Sequence, residues 1–109
     1  MNQQIDELKA LYGEVASAVD GGNTFYLLKD VQLPTNCVPA RCDLLLCAGP
    51  RDGYTSRLFF TSQVKSRQSR NWNGGVHLFD RTWHAISWKM PPEKLTLAQM
   101  VSTHLQALK

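Results

Sequence analysis

The hydrophobic period changes twice along this chain, and that change limits its possible folds more than any other feature. Ile5, Leu8, Leu11, Tyr12, Val15 and Val19 recur at steps of three and four, with Asp6, Glu7, Lys9 and Glu14 on the polar side. The spacing predicts one amphipathic helix. Gly21-Gly22 follows, and glycine reaches positive φ without steric cost, so the helix is expected to end there. From Asn23 to Val64 the pattern turns to strands. Thr24–Leu33 is β-branched and aromatic and stops at Pro34, which has no N–H to give a ladder. Pro39 bounds a second strand at Ala40–Ala48, and Gly49-Pro50-Arg51-Asp52-Gly53 is turn chemistry. A third strand is expected at Arg57–Val64, centred on Leu58-Phe59-Phe60. Connections this short join antiparallel strands, because a parallel pair needs a longer crossover.

The tail returns to helical spacing. Lys65–Gly75 is polar, basic and Gly-terminated and reads as a loop, with Val76–Phe79 as a possible fourth short strand. Arg81–Trp88 has no clear period, and Pro91-Pro92 imposes extended backbone before it. Thr96 has N-cap chemistry with Gln99 three residues on, the capping-box spacing, and Leu95 and Met100 are placed as a hydrophobic staple. Val101, Leu105 and Leu108 continue that helix's apolar stripe. The expected class is α+β: an N-terminal helix, an antiparallel meander of three to four strands, an irregular Trp-rich segment and a C-terminal helix.

At 109 residues one domain over 1–109 is expected. Hydrophobic residues make up 43% of the chain and the formal charge is only +3, which excludes a disordered composition. No apolar run approaches the roughly 18–20 residues of a membrane span. The start MNQQIDELK lacks an apolar core and a small-residue cleavage site, so no secretory signal is expected there. Three cysteines are an odd number without a disulfide framework, and point to reduced thiols in a cytoplasmic protein.

Cys37, Cys42 and Cys47 are spaced at intervals of five, which superficially suggests a metal cluster. An odd offset turns Cys42 to the opposite strand face from the other two, and Cys37 and Cys47 would lie about 33 Å apart on extended chain. Structural zinc sites pair ligands at closer spacings, so no metal is expected and the ordinary role is small core hydrophobe. Cys37, in a Pro-bounded polar loop, is the expected exposed thiol. His104 falls at the edge of the last helix's stripe and reads as a packing or surface residue. His77 and His84 lie near Asp80, Arg81 and Ser87, where acid–base groups converge in sequence, although a structural role is the commoner one for such histidines.

The charge is also unevenly spread. Arg51, Arg57, Lys65, Arg67, Arg70, Arg81 and Lys89 face only Asp52 and Asp80 between Arg51 and Met90, giving 7 − 2 = +5 and leaving −2 elsewhere. Trp72, Trp83 and Trp88 are interleaved with them. Such a segment suits single-stranded nucleic acid, through phosphate attraction and base stacking, or an acidic protein partner contacted through Trp72, Arg81, Trp83 and Trp88. A solvated loop beside core tryptophans is the plain alternative. No Walker or dinucleotide-binding glycine loop and no nucleophile elbow is present, and no cofactor is expected.

The order of elements resembles a ubiquitin-conjugating enzyme domain in shortened form. Asn73-Gly74-Gly75-Val76-His77-Leu78 resembles the N-G-x-I-C-L stretch that carries the catalytic cysteine in eukaryotic members. Trp88-x-x-Pro91 followed by Leu95-Thr96-Leu97 resembles their W-x-P-x-L-T-I run. Leu33-Pro34, Asp43-Leu44-Leu45-Leu46 and Phe79-x-x-x-Trp83-x-x-x-Ser87-Trp88 resemble a diverged bacterial branch found beside an activating enzyme, a ubiquitin-like protein and a JAB-type peptidase. The resemblance implies the activating enzyme and the ubiquitin-like protein as partners. It departs at the site that matters: His77 occupies the nucleophile position, no cysteine follows Cys47, and the His-Pro-Asn motif is replaced at best by Asn71 or Asn73. The family's Tyr-Pro…Pro-Pro stretch is reduced to Tyr54, and the segments that follow the last helix in longer members are missing. A thioester needs a sulfur nucleophile. Three possibilities follow: a non-catalytic adaptor, a locally shifted match, or an active domain whose thioester forms on Cys37 or Cys42 with His77 or His84 handling protons and Asp80 orienting one of them.

Overall fold

The computed structural model describes residues 2–49, 56–66, 71–86 and 95–108. Helix α1 spans Asn2–Tyr12, and six strands follow: β1 Val15–Asp20, β2 Asn23–Gln32, β3 Arg41–Cys47, β4 Arg57–Phe60, β5 Trp72–Leu78 and β6 Arg81–Ile86. Helix α2, Leu97–Gln106, closes the order. The strands form one antiparallel sheet in the order β1-β2-β3-β4-β6-β5. The α+β class agrees with the expectation, and the sheet is larger than a meander of three or four strands.

The additional strands come from segments whose local signals were misleading. Gly13, at φ +84, ends α1 with its N–H donating to the Lys9 carbonyl at 2.9 Å. Val15 and Val19 therefore leave the helix and enter β1, where Val19 is exposed. Gly21 and Gly22, at φ +58 and +81, make the two-residue turn between β1 and β2 instead of a helix end. Both central residues of that turn need positive φ to match the strand twist, and Asp20 pairs with Asn23 across it. Strand β4 stops at Phe60 and does not run on to Val64. Trp72–Gly75, expected as loop, pairs with β6, and a register shift lies between Asn73 and Val76. The first part of the Trp-rich segment is β6 itself.

Strand alternation divides the core into two faces. Tyr26, Leu28, Leu44, Leu46, Leu58, Phe60 and Ile86 point to the face covered by the helices, where Leu8 of α1 and Leu97, Val101 and the following Leu108 close the layer. Phe25, Leu27, Leu45, Cys47, Phe59, Val76, Trp83 and Ala85 point the other way. No helix among the described residues covers this second face. The sheet curls over it, and Phe79 at the tip of the β5–β6 hairpin comes to share a cavity with Ala16 and Leu27 at the opposite end of the strand order. The Phe25 and Phe59 rings lie 6.1 Å apart inside the curl.

The start of α2 is built as expected. Thr96 accepts from the Gln99 N–H at 3.2 Å, and the Thr96 N–H donates to Gln99 Oε1 at 2.9 Å. Helix α1 supports the same turn: the Leu97 N–H donates to Gln4 Oε1 and the Thr96 hydroxyl donates to Glu7 Oε1. Backbone donors left without partners by the helix start are thus satisfied partly by the other helix.

Candidate functional site

His77 and His84 lie on adjacent strands. His77 is opposite Thr82 in the β5–β6 register, so His84, two residues further on β6, is its diagonal neighbour. Both point away from the face that carries Val76, Trp83 and Ala85, and therefore share the helix side of the sheet. Diagonal pairs of this kind lie about 7–8 Å apart at Cα. His77 is exposed and His84 half-buried. Asp80 sits in the two-residue β5–β6 turn at φ +59, beside Phe79 at +54. Among the described residues no hydrogen bond or ion pair joins Asp80 to either imidazole. The orienting role expected of Asp80 is therefore without a contact to carry it.

The thiols lie elsewhere. Cys37 is 5% exposed, a correction to its expected place as the exposed thiol. The loop after β2 folds under the end of α2, and the Cys37 thiol faces the Leu108 carbonyl at 4.0 Å. Cys42 is half-buried on the helix face of β3, and Cys47 is buried on the opposite face, donating to the Gly49 carbonyl at 3.5 Å. The odd offset thus separates Cys42 from Cys47, whereas Cys37, outside the strand, joins the Cys42 side. Burial pushes the Cys37 thiol pKa up. Burial does the same to Cys42, outweighing hydrogen bonds from Thr61 that favour the thiolate. Leu44 pairs with Phe60 and Phe60 with His84, so β3 and β6 are two strand positions apart. Their backbones are about 10 Å apart, and among the described residues no hydrogen bond joins a thiol to His77 or His84.

The tryptophans and arginines are largely structural. Trp83 is completely buried, and its indole N–H donates to the Leu78 carbonyl at 2.8 Å. Its expected contact with a partner is closed to it in this fold. Trp72 is half-buried and packs edge-on against Phe60, with centroids 5.4 Å apart. Arg57 is 3% exposed and donates to the Ile86 carbonyl at 3.1 Å. Arg81 stays about half exposed, pairs with Asp43 and lies 5.9 Å from the Trp83 ring centroid. Desolvation alone would raise the Asp43 pKa, but the Asp30 N–H and the Arg81 guanidinium together bring it below the usual range. Trp88, Ser87, Arg51, Arg67, Arg70 and Lys89 lie outside the described residues.

One buried polar group escaped the sequence reading. Ser56, at the entrance to β4, and His104 on α2 meet with Oγ and Nε2 2.9 Å apart, and both are buried. Burial, followed by the Arg57 charge, pushes the His104 pKa down to about 4. The imidazole is therefore neutral at pH 7. A serine beside a neutral histidine has the elements of a nucleophile and base, but the space beside them, between Arg57, Leu58, Phe60 and Ile86, leaves no room for water. The pair pins α2 to β4. The 48-residue separation leaves no local signal for it.

Among the described residues no group of three or more His, Cys, Asp or Glu side chains is placed to hold a metal ion. Among them, too, no helix is long and apolar enough to cross a membrane. Comparison of the chain with protein-family models, with curated proteins and with solved structures finds no match.

Proposed function

We propose that this chain is a ubiquitin-conjugating-type domain of a bacterial ubiquitin-like modification pathway, working as a non-catalytic binding component. The reading rests on the resemblance of the Asn-Gly, Trp-Pro and Leu-Thr-Leu strings, and it is supported by the order of helix, antiparallel sheet and helix. One observation carries the non-catalytic part: His77 is exposed on β5 at the position matching the nucleophile, while Cys42 and Cys47 lie on β3 and Cys37 is tucked beneath α2. An imidazole cannot hold the thioester that a conjugating cysteine holds. Two of the thiols also have raised pKa values, which lowers their thiolate fraction.

The test combines the chain with an activating enzyme and a ubiquitin-like protein from the same gene cluster, with ATP. Association without a thiol-sensitive adduct is expected. An adduct that disappears with Cys42→Ser or Cys37→Ser would make the domain an active transferase instead. Absence of both adduct and association would end the pathway reading.

A nucleic-acid module ranks lower, because stacking needs open aromatic faces. Trp83 is enclosed, Trp72 packs on Phe60, and Arg57 is buried. A protein-assembly role is compatible with the adaptor, with Arg81 as its most accessible described anchor among the residues expected to contact a partner.

A further inference from the structure

Strand β1 forms one border of the sheet, and among the described residues no strand pairs with its outer side. Exposed borders are usually protected by Lys, Pro or a bulge. The sequence Val15-Ala16-Ser17-Ala18-Val19-Asp20 has neither residue, and its pairing with β2 is unbroken. The two-residue turn makes Asp20–Asn23 a bonded pair, so alternation aims the N–H and C=O of Ser17 and Val19 outward. Ala16, Ser17 and Ala18 are small, and leave room for the side chains of an added strand.

A cavity of about 720 Å³ adjoins the start of this strand. Val15, Ala16, Leu27 and Phe79 supply its apolar wall, and among its charged lining residues two lysines, Lys9 and Lys29, outnumber the single carboxylate, Glu14. Phe79 and Asp80 take the left-handed φ values that a two-residue hairpin turn requires, and this turn brings Phe79 to the cavity. The cavity is the seam left open where the curled sheet brings the β5–β6 tip towards β1.

We propose that the β1 border and this cavity form a docking site for an extended segment of another protein. The segment adds as a seventh strand, seats one apolar side chain against Leu27 and Phe79, and presents an acidic group to Lys9 and Lys29. Backbone bonds supply affinity in this mode and the cavity supplies selectivity. A second copy of the chain is a poorer occupant. Antiparallel pairing centred on Ser17, which matches outward backbone groups of one copy to those of the other, sets Glu14 of one copy opposite Asp20 of the other at both ends, and like charges so placed repel. The inference is independent of the conjugation-pathway reading.

The experiment selects short random peptides displayed on phage against the full chain and measures the best binder by fluorescence anisotropy. Selected peptides should alternate apolar residues and carry Asp or Glu. The double variant K9Q/K29Q, changed only at exposed positions, should weaken binding by roughly tenfold or more. Ser17→Pro, which removes an outward N–H and spares the β2 pairing, should abolish it. Hydrogen exchange at the Ser17 and Val19 amides should slow when peptide is added. A selection without binders, or a binder indifferent to both variants, overturns the proposal. Protection of those amides that rises with protein concentration and without peptide also overturns it, and makes a second copy the occupant.

Discussion

Ser56 Oγ and His104 Nε2 lie 2.9 Å apart inside the protein, and this contact ties the entrance of β4 to α2. Because burial and the Arg57 charge hold the imidazole neutral, His104 makes stability depend on pH. The folded pKa is about 4 against an ordinary value of 6.5, so between these values the unfolded chain binds the extra proton. Stability is full above pH 6.5 and falls as pH drops towards 4, by roughly 3 kcal/mol. Asp43, with its lowered pKa, loses stabilisation in the same direction, at lower pH. Urea denaturation across this range measures the slope, and His104→Gln should flatten most of it. An equally steep slope in that variant would contradict the assignment.

Trp83 and Arg81 should separate cleanly on mutation. Trp83→Ala empties a fully buried site and should cost about 3–5 kcal/mol, enough to unfold much of a small domain. Arg81→Ala removes a half-exposed ion pair and should cost about 1 kcal/mol or less. Thermal melts followed by circular dichroism distinguish the two. A Trp83→Ala protein that melts like the parent would place the indole outside the core.

Thr96 holds two connections at once, capping α2 and donating to Glu7 of α1. Thr96→Ala should destabilise the chain by about 1–2 kcal/mol, and Thr96→Ser should recover most of that. Equal loss in both variants would show that the hydroxyl is not the stabilising group.

The three thiols, none of them in a disulfide, should be poor nucleophiles while the chain is folded. Cys37 and Cys47 are buried, and Cys42 is half-buried with a raised pKa. Iodoacetamide at neutral pH should modify the native protein far more slowly than the urea-unfolded chain, with Cys42 first. Fast native labelling of Cys37 would contradict its burial beneath α2.

Legibility followed how local each signal was. The Thr96–Gln99 capping box and the β2 and β3 strands could be read because their determinants lie within a few residues. The end of α1 is hidden in the sequence because Val15 and Val19 satisfy helical spacing as well as strand propensity, while the stop itself is a single glycine, Gly13. Trp72–Gly75 reads as loop on composition, and only pairing with β6 supplies the partners that make it a strand. Cys37 and the Ser56–His104 pair depend on contacts 71 and 48 residues apart, which no local pattern encodes. Of the expected site, His77 and His84 lie diagonally on one face, while the thiols needed for transfer lie on other elements.

The central claim is that the chain binds pathway proteins without carrying a thioester. Intact-mass spectrometry of the chain, incubated with activating enzyme, ubiquitin-like protein and ATP, tests it most directly when paired with a native-gel measurement of association. The account predicts the unmodified mass together with a shifted complex. A mass increased by one ubiquitin-like protein and restored by reducing agent would contradict it.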